Sequence, residues 1–108
     1  MYSTLIVAKL REGSADSVAD LFTRFDQSEM PGLMGTRRRE LFLFRGLYFH
    51  LQDFDDSQGG DAIQEARTHP AFVKISNDLK EHIEAYDPET WRSPKDAMAT
   101  RFYRWSAQ

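Results

Sequence analysis

The most informative part of the sequence is the run Met34-Gly-Thr-Arg-Arg-Arg-Glu-Leu-Phe-Leu-Phe-Arg-Gly-Leu-Tyr-Phe-His-Leu-Gln52. Apolar and aromatic residues flank Arg45-Gly46 on both sides, which is typical of a β-hairpin that turns at those two residues. Once Phe44 is placed opposite Leu47, the register of the other pairs follows. The predicted pairs are Leu43 with Tyr48, Phe42 with Phe49, Leu41 with His50, and Arg39 with Gln52.

This register sorts the hairpin onto two faces, because opposed residues share a face and successive residues alternate. One face carries Phe42, Phe44, Leu47, Phe49 and Leu51. The other carries Arg39, Leu41, Leu43, Tyr48, His50 and Gln52. Both faces are largely apolar, whereas a sheet with one solvated side alternates apolar and polar residues. We therefore expect both sides to be covered, and the pattern leaves open which side meets the helices.

Composition excludes several classes of function. The 108 residues fit one domain, residues 1–108. A net charge of −3 and a pI near 5.5 argue against general nucleic-acid binding. The chain has no cysteine, and its three histidines show no metal-ligand spacing, so no metal site is predicted. No apolar run approaches the ~20 residues of a membrane span and no signal peptide is evident, so we expect a soluble, cytoplasmic protein.

The remaining sequence predicts further strands and helices. In chain order they are a strand Tyr2 to Leu10, a helix from its N-cap Ser14 to about Gln27 ended by Met30-Pro31-Gly32, the hairpin, an acidic loop Asp53 to Asp61, a short helix Asp61 to Arg67, a corner at His69-Pro70, a longer helix from Phe72 to Tyr86, and a closing strand Ala97 to Ser106. The order βαββαβ predicts a ferredoxin-like fold of class α+β, a four-stranded antiparallel sheet with two main helices on one face. The uncovered face predicts a homodimer packed sheet to sheet, a dimeric α/β barrel.

Several motifs occur in the order of a known family. They are Asp26-x-x-Glu29-x-Pro31, Gly35-x-Arg37-Arg38-Arg39-x-Leu41-Phe42-x-Phe44, Leu47-Tyr48-x-His50-Leu51, Ala66-Arg67-x-His69-Pro70-x-Phe72 and Phe102-Tyr103-x-Trp105. With these motifs the chain resembles the tetracenomycin F2 cyclase family of aromatic polyketide cyclases over nearly its whole length. The resemblance implies a ferredoxin-like homodimer that acts in type II polyketide assembly, with its pocket between sheet and helices.

The resemblance also implies a reaction and its residues. The reaction is ring closure on a poly-β-ketone by intramolecular aldol condensation and loss of water, without metal or organic cofactor. The substrate is an aromatic polyketide, free or carried by an acyl carrier protein. The implied functional positions are Arg39, His50 and Asp26. The tetracenomycin enzyme has a histidine just before that acid, whereas this chain has Phe25, so one acid/base candidate is missing.

The residue chemistry suits such a reaction. Arg39 stays charged and can hold an enolate or phenolate oxygen, and His50 titrates near neutrality and can accept and return a proton. Arg39 can equally pair with Glu40 or Asp26, and His50 can be a core or dimer-seam histidine. Asp26 is either ligand-facing or a solvated acid.

Four aromatic residues are candidate substrate contacts. Tyr48 can donate a hydrogen bond, and Trp91, Phe102 and Tyr103 can stack on a flat polycycle or simply form core. Two other functions stay open at this level. One is a cofactor-independent monooxygenase of the same architecture, and the other is a non-catalytic polyketide-binding subunit.

Overall fold

The computed structural model describes residues 2–55, 65–92 and 94–107. Its elements in chain order are β1 (Tyr2–Leu10), α1 (Ala15–Asp26), α2 (Met30–Met34), β2 (Thr36–Phe44), β3 (Leu47–Phe54), α3 (Pro70–Leu79), β4 (Ile83–Ala85) and a 3-10 helix, Pro94–Ala97. The strands form one antiparallel sheet in the order β2-β3-β1-β4. The predicted ferredoxin-like topology is confirmed, with α2 as an addition. Among the described helices, none has the length and apolarity to span a membrane.

The predicted hairpin register is confirmed at every pair from Phe44–Leu47 to Arg39–Gln52. The turn places Arg45 at φ 49° and Gly46 at φ 81°. Both angles lie in the left-handed region that a two-residue hairpin turn of the primed type requires. A bulge between Thr36 and Arg38 then ends the regular pairing at the far end of the hairpin.

The core lies between the helices and one face of the sheet. Its buried residues from the helices, from residue 66 and from the sheet are Val18, Phe22, Phe25, Met30, Met34, Ala66, Ile75, Ala8 and Tyr48. Because Tyr48 belongs to this core, the hairpin face that carries Arg39, His50 and Gln52 is the helix side. The opposite side, called the open face below, carries Leu5, Val7, Phe42, Phe44, Phe49 and Leu51. Phe42 and Phe44 are 50% and 59% exposed there.

The longer predicted helix is wrong in its last part. α3 ends at Leu79, and Ile83–Ala85 instead pair with Ala8–Leu10 as β4. The apolar spacing along this segment continues at helical intervals past Leu79, and a strand of three residues is too short to show alternation. Pairing with the edge of β1 satisfies backbone groups, and this tertiary contact overrides the local pattern.

The closing strand predicted over Ala97 to Ser106 is also wrong. Met98 forms a single bridge with Ile6, and the amide of Ala99 donates to the carbonyl of Leu5 at 2.7 Å. Residues 99–107 have no regular structure. The segment has an alternating pattern, but only its start meets a strand, β1, and no described strand pairs with it after Ala99.

Two local boundaries differ from the predictions, and a third is confirmed. β3 continues to Phe54, which is fully buried, so the acidic loop begins after it. The rest of that loop and most of the short helix predicted over Asp61 to Arg67 lie outside the described residues. Met30-Pro31-Gly32 begins α2, since proline is accepted in a first helical turn. Ser14 is confirmed as the N-cap residue of α1, but its hydroxyl contacts His82 Nδ1 at 3.0 Å and not a helix amide.

Candidate active site

The centre of the candidate site is the guanidinium of Arg39, which projects from β2 to the helix side and is 7% exposed. Its Nε donates to both carboxylate oxygens of Asp26 at 3.1 and 3.0 Å, and Nη2 donates to Oδ1 at 2.9 Å. Its Nη1 donates to His50 Nε2 and to Gln52 Oε1, each at 2.9 Å. The cation is therefore held from the helix and from β3 at once, in the fork geometry that favours arginine over lysine.

Two aromatic rings of α1 complete the surroundings of this cation. The guanidinium carbon lies 4.7 Å from the ring centre of Phe22 and 5.5 Å from that of Phe25. Both distances allow a cation–π attraction. Phe25, which replaces the histidine expected from the resemblance, thus contributes a face for the charge and no acid/base group.

Asp26 is the acidic member of the site and its most exposed one, at 38%. It is the last residue of α1, where the helix dipole disfavours an anion. Its pairing with Arg39 supplies the compensating positive charge. The sequence left Glu40 and Asp26 open as the partner of Arg39, and the structure shows Asp26.

His50 is buried, at 6% exposure, and its protonation state follows from its contact with Arg39. A guanidinium has only donors, so the Nε2 atom that faces it must offer a lone pair. The ring is neutral, with its proton on Nδ1. Burial, and then the positive charge of Arg39, lower the pKa of His50 to about 3. The prediction that His50 titrates near neutrality is therefore wrong for this state of the protein, because its environment penalises the imidazolium.

Tyr48 is buried two residues before His50 on the same face of β3, and the two ring centres are 6.1 Å apart. Burial raises the pKa of its phenol, against a smaller opposing effect of the Arg39 charge. The phenol therefore stays protonated at physiological pH and can donate a hydrogen bond.

The structure thus brings together four of the residues predicted from the sequence and adds a fifth. We call Asp26, Arg39, Tyr48, His50 and Gln52 the polar cluster. Gln52 had no predicted role, although the predicted register already placed it opposite Arg39, and that position was the available signal.

The other predicted substrate contacts lie away from the polar cluster in this chain, and their role in binding substrate stays a prediction. Phe102 is 97% and Tyr103 74% exposed, since the chain leaves the sheet edge after Ala99. Trp91 packs against the core, and it also lines a hollow of about 280 Å³ that is bordered by Val7 of the open face. A second hollow, also of about 280 Å³, lies between α1 and the end of α3. Neither hollow borders Arg39 or His50.

The polar cluster is closed in this structure. It combines one cation, one carboxylate and neutral donors and acceptors, and it meets solvent mainly at Asp26. A substrate oxygen must therefore take the place of an existing partner of Arg39 to be held by it. Within the described ranges, no group of three histidine or acidic side chains is placed to bind a metal ion.

Known proteins resemble this chain in sequence and in structure. The chain matches the family described as polyketide synthesis cyclase over residues 2–106. It is 39% identical to polyketide synthase CurG of Streptomyces cyaneus over 97% of both chains. It is 35% identical to tetracenomycin F2 cyclase of Streptomyces glaucescens, over 98% of this chain and 95% of that protein.

The structural comparison agrees with the sequence comparison. The solved structure of tetracenomycin F2 cyclase, described as a type-II polyketide cyclase, matches with a TM-score of 0.90 at 34% identity over the full length of both chains. SnoaB, a cofactor-independent oxygenase from Streptomyces nogalater, matches with a TM-score of 0.57 at 18% identity over 75% of this chain and 81% of its own, and so shares the fold alone. From the match along nearly the entire chain we conclude that this protein belongs to the polyketide synthesis cyclase family.

Proposed function

We propose that this protein closes a ring on an aromatic poly-β-ketone by intramolecular aldol condensation followed by loss of water. The proposal rests on one observation: on the helix side of the sheet, the Nη1 atom of Arg39 donates to both His50 Nε2 and Gln52 Oε1. A buried cation with fixed donors stabilises the oxyanion that an enolate carries. Delivery by an acyl carrier protein and a cytoplasmic location remain predictions.

The first step follows from the shared donor. A ketone oxygen of the substrate takes the Nη1 hydrogen that His50 accepts in the resting protein. This exchange frees the Nε2 lone pair of His50 next to the acidic carbon between two carbonyls. His50 then accepts a proton from that carbon, and Arg39 holds the enolate oxygen. The negative charge of the enolate raises the pKa of His50, against the burial and the Arg39 charge that lower it in the resting site.

Ring closure and loss of water follow from the same groups. The enolate carbon attacks a second ketone of the same chain, a carbon–carbon bond forms, and the new alkoxide takes the proton back from His50. In the elimination, His50 removes a second proton from the same carbon, and the hydroxyl leaves as water once it is protonated by the imidazolium. The rate advantage comes largely from holding one carbon against one carbonyl, since a carbon between two ketones is already acidic.

The reaction type has a direct test. Purified protein is supplied with a poly-β-ketone intermediate made by a minimal type II synthase. The products are separated by chromatography, and their masses are measured by mass spectrometry. We expect a cyclised product one water lighter than the substrate, with no uptake of dissolved oxygen. Oxygen uptake that parallels product formation would instead indicate a monooxygenase. Altered product ratios only in the presence of the synthase would indicate a non-catalytic subunit.

We further propose that the open face pairs with the same face of a second copy. Phe42 and Phe44 are half-exposed there beside Val7, Phe49 and Leu51, and monomers rarely leave so large an apolar area to solvent. A two-fold arrangement covers both copies with one interface.

The dimer is tested by sedimentation at micromolar concentration. We expect the wild type to sediment as a dimer and Phe42→Glu as a monomer, because the substitution buries a carboxylate in an apolar seam. Leu33→Glu is the matched control, since Leu33 is similarly exposed, at 55%, but lies on α2. A monomeric wild type, or a dimer that survives Phe42→Glu, contradicts the proposal.

A further inference from the structure

Thr4 is a buried polar residue that the proposed reaction does not use. It lies on β1, faces the helix side and is 6% exposed. Its Oγ1 has no hydrogen-bond partner among the described residues. Buried hydroxyls nearly always have a partner, because an unpaired one loses its bonds to water and gains none. Departures from this rule are expected at functional sites.

The position of Thr4 relates it to the polar cluster. Thr4 pairs with Gln52 across β1 and β3, and Gln52 pairs with Arg39 across β3 and β2, so the three residues form one row over three strands. The oxygen of Gln52 is already engaged by Arg39, whose Nη1 reaches over β3 to His50. Thr4 and Arg39 therefore lie two strands apart, ~10 Å between their α-carbons, and the guanidinium spans part of that separation by reaching to β3.

From this row we infer that the Thr4 hydroxyl binds a second oxygen of the polyketide and so determines which carbonyl Arg39 holds. The inference rests on the function proposed above. A poly-β-ketone carries an oxygen on every second carbon, and a hydroxyl can donate to a ketone or accept from an enol. Two contacts at separate points of one row bind two different oxygens of one chain. They fix its position along the site, and with it the pair of carbons that are joined.

The chain offers a matched control for this residue. Thr36 is the other described residue with a buried, unpartnered Oγ1. It pairs with the fully buried Phe54, and the β-bulge separates it from Arg38 and Arg39. Thr36→Val thus removes the same chemical group without changing the row of Thr4, Gln52 and Arg39.

The experiment measures binding of two stable probes by titration calorimetry or NMR. One is a phenyl-capped triketone, and the other is acetophenone, the phenyl-capped monoketone, which has no second oxygen. We expect Thr4→Val to weaken binding of the triketone by about 3- to 10-fold, the effect of one lost neutral hydrogen bond, and to leave binding of acetophenone unchanged. Thr4→Ser keeps the hydroxyl and should bind the triketone like the wild type.

Stability provides the second readout. Valine has nearly the shape of threonine without its unpaired oxygen, so Thr4→Val and Thr36→Val should each leave Tm unchanged or raise it by up to about 5 °C. Only Thr4→Val should combine this with weaker binding. Equal binding of the triketone by wild type and Thr4→Val overturns the inference, and so does equal weakening by Thr36→Val. If the Thr4 hydroxyl binds an ordered water and no substrate oxygen, wild type and Thr4→Val bind the triketone equally, which is the first of these results.

Failure of the inference is distinguishable from failure of the proposed function. If Arg39→Met weakens binding of both probes while Thr4→Val weakens neither, the proposed site stands and the role of Thr4 falls. If the wild type binds neither probe, both fall. Should Thr4→Val not fold, the methyl resonance of Thr4 in the wild type decides, because it should shift with the triketone and not with acetophenone.

Discussion

Replacement of Arg39 by methionine is expected to lower kcat/KM for ring closure by a factor of about 100–1,000, the usual effect of removing an oxyanion donor. Methionine keeps the apolar stem of the side chain but loses the guanidinium, and with it the stacking on Phe22 and Phe25. It also loses every hydrogen bond to Asp26, His50 and Gln52. Product formation followed by chromatography measures the effect. Asp26 is 38% exposed, so its carboxylate can turn to solvent and the variant should still fold.

Arg38→Met is the control for this prediction. Arg38 is the preceding residue of the same strand, but it pairs with Asp53 and Glu40 and is 55% exposed. Arg38→Met removes an equal charge outside the polar cluster, so the kcat/KM of the folded variant should stay within about 2-fold of the wild type. Wild-type rates from a folded Arg39→Met protein would remove Arg39 from the mechanism.

The second large effect is on stability at acidic pH and arises from His50. Its folded pKa of about 3 lies below the ordinary value of 6.5. Below pH 6.5 the unfolded chain therefore binds a proton that the folded protein does not, and stability falls as the pH is lowered toward 3. At pH 5 the loss from this residue is about 2 kcal/mol relative to neutral pH.

Urea unfolding at pH 7 and pH 5 measures this loss. His50→Gln keeps an oxygen acceptor for Arg39 but cannot titrate, so its stability should fall by about 2 kcal/mol less than that of the wild type over this interval. His82→Gln, which changes a histidine outside the polar cluster, should keep the steeper wild-type dependence. If wild type and His50→Gln lose the same stability, His50 is not held neutral, and the Nε2 contact with Arg39 does not persist in solution.

The hairpin and the class of fold were predictable from the local sequence pattern. Opposed pairs in a hairpin follow from one turn, and Arg45-Gly46 supplies the positive φ angles that the turn needs, so every pair down to Arg39–Gln52 was predictable. The same register placed Arg39 and His50 on one face. It could not assign that face to the helices, because both faces are apolar. Tyr48 is buried in the same core cluster as Val18 and Phe22 of α1, and this contact assigns the Arg39 and His50 face to the helix side.

Near the C-terminus, the local sequence pattern did not predict the secondary structure. The segment after Leu79 keeps helical spacing, and the segment after Ala97 keeps alternation, yet each adopts something else. The edge of β1 has unpaired backbone groups along two stretches. Ile83–Ala85 satisfy one, and Met98 with Ala99 satisfies part of the other. Which segment reaches a given edge is a matter of chain path, and no short window of sequence encodes it.

The residue types of the candidate site were readable from the sequence, namely an arginine, a histidine, an acid and a tyrosine, because the chemistry of each side chain is its own. Their state was not readable. The neutral imidazole, the protonated phenol and the pairing of Asp26 with Arg39 all depend on burial and on distances below 4 Å between groups from different elements. Charge states respond to desolvation and to neighbouring charges, and only the folded arrangement of α1, β2 and β3 sets those quantities.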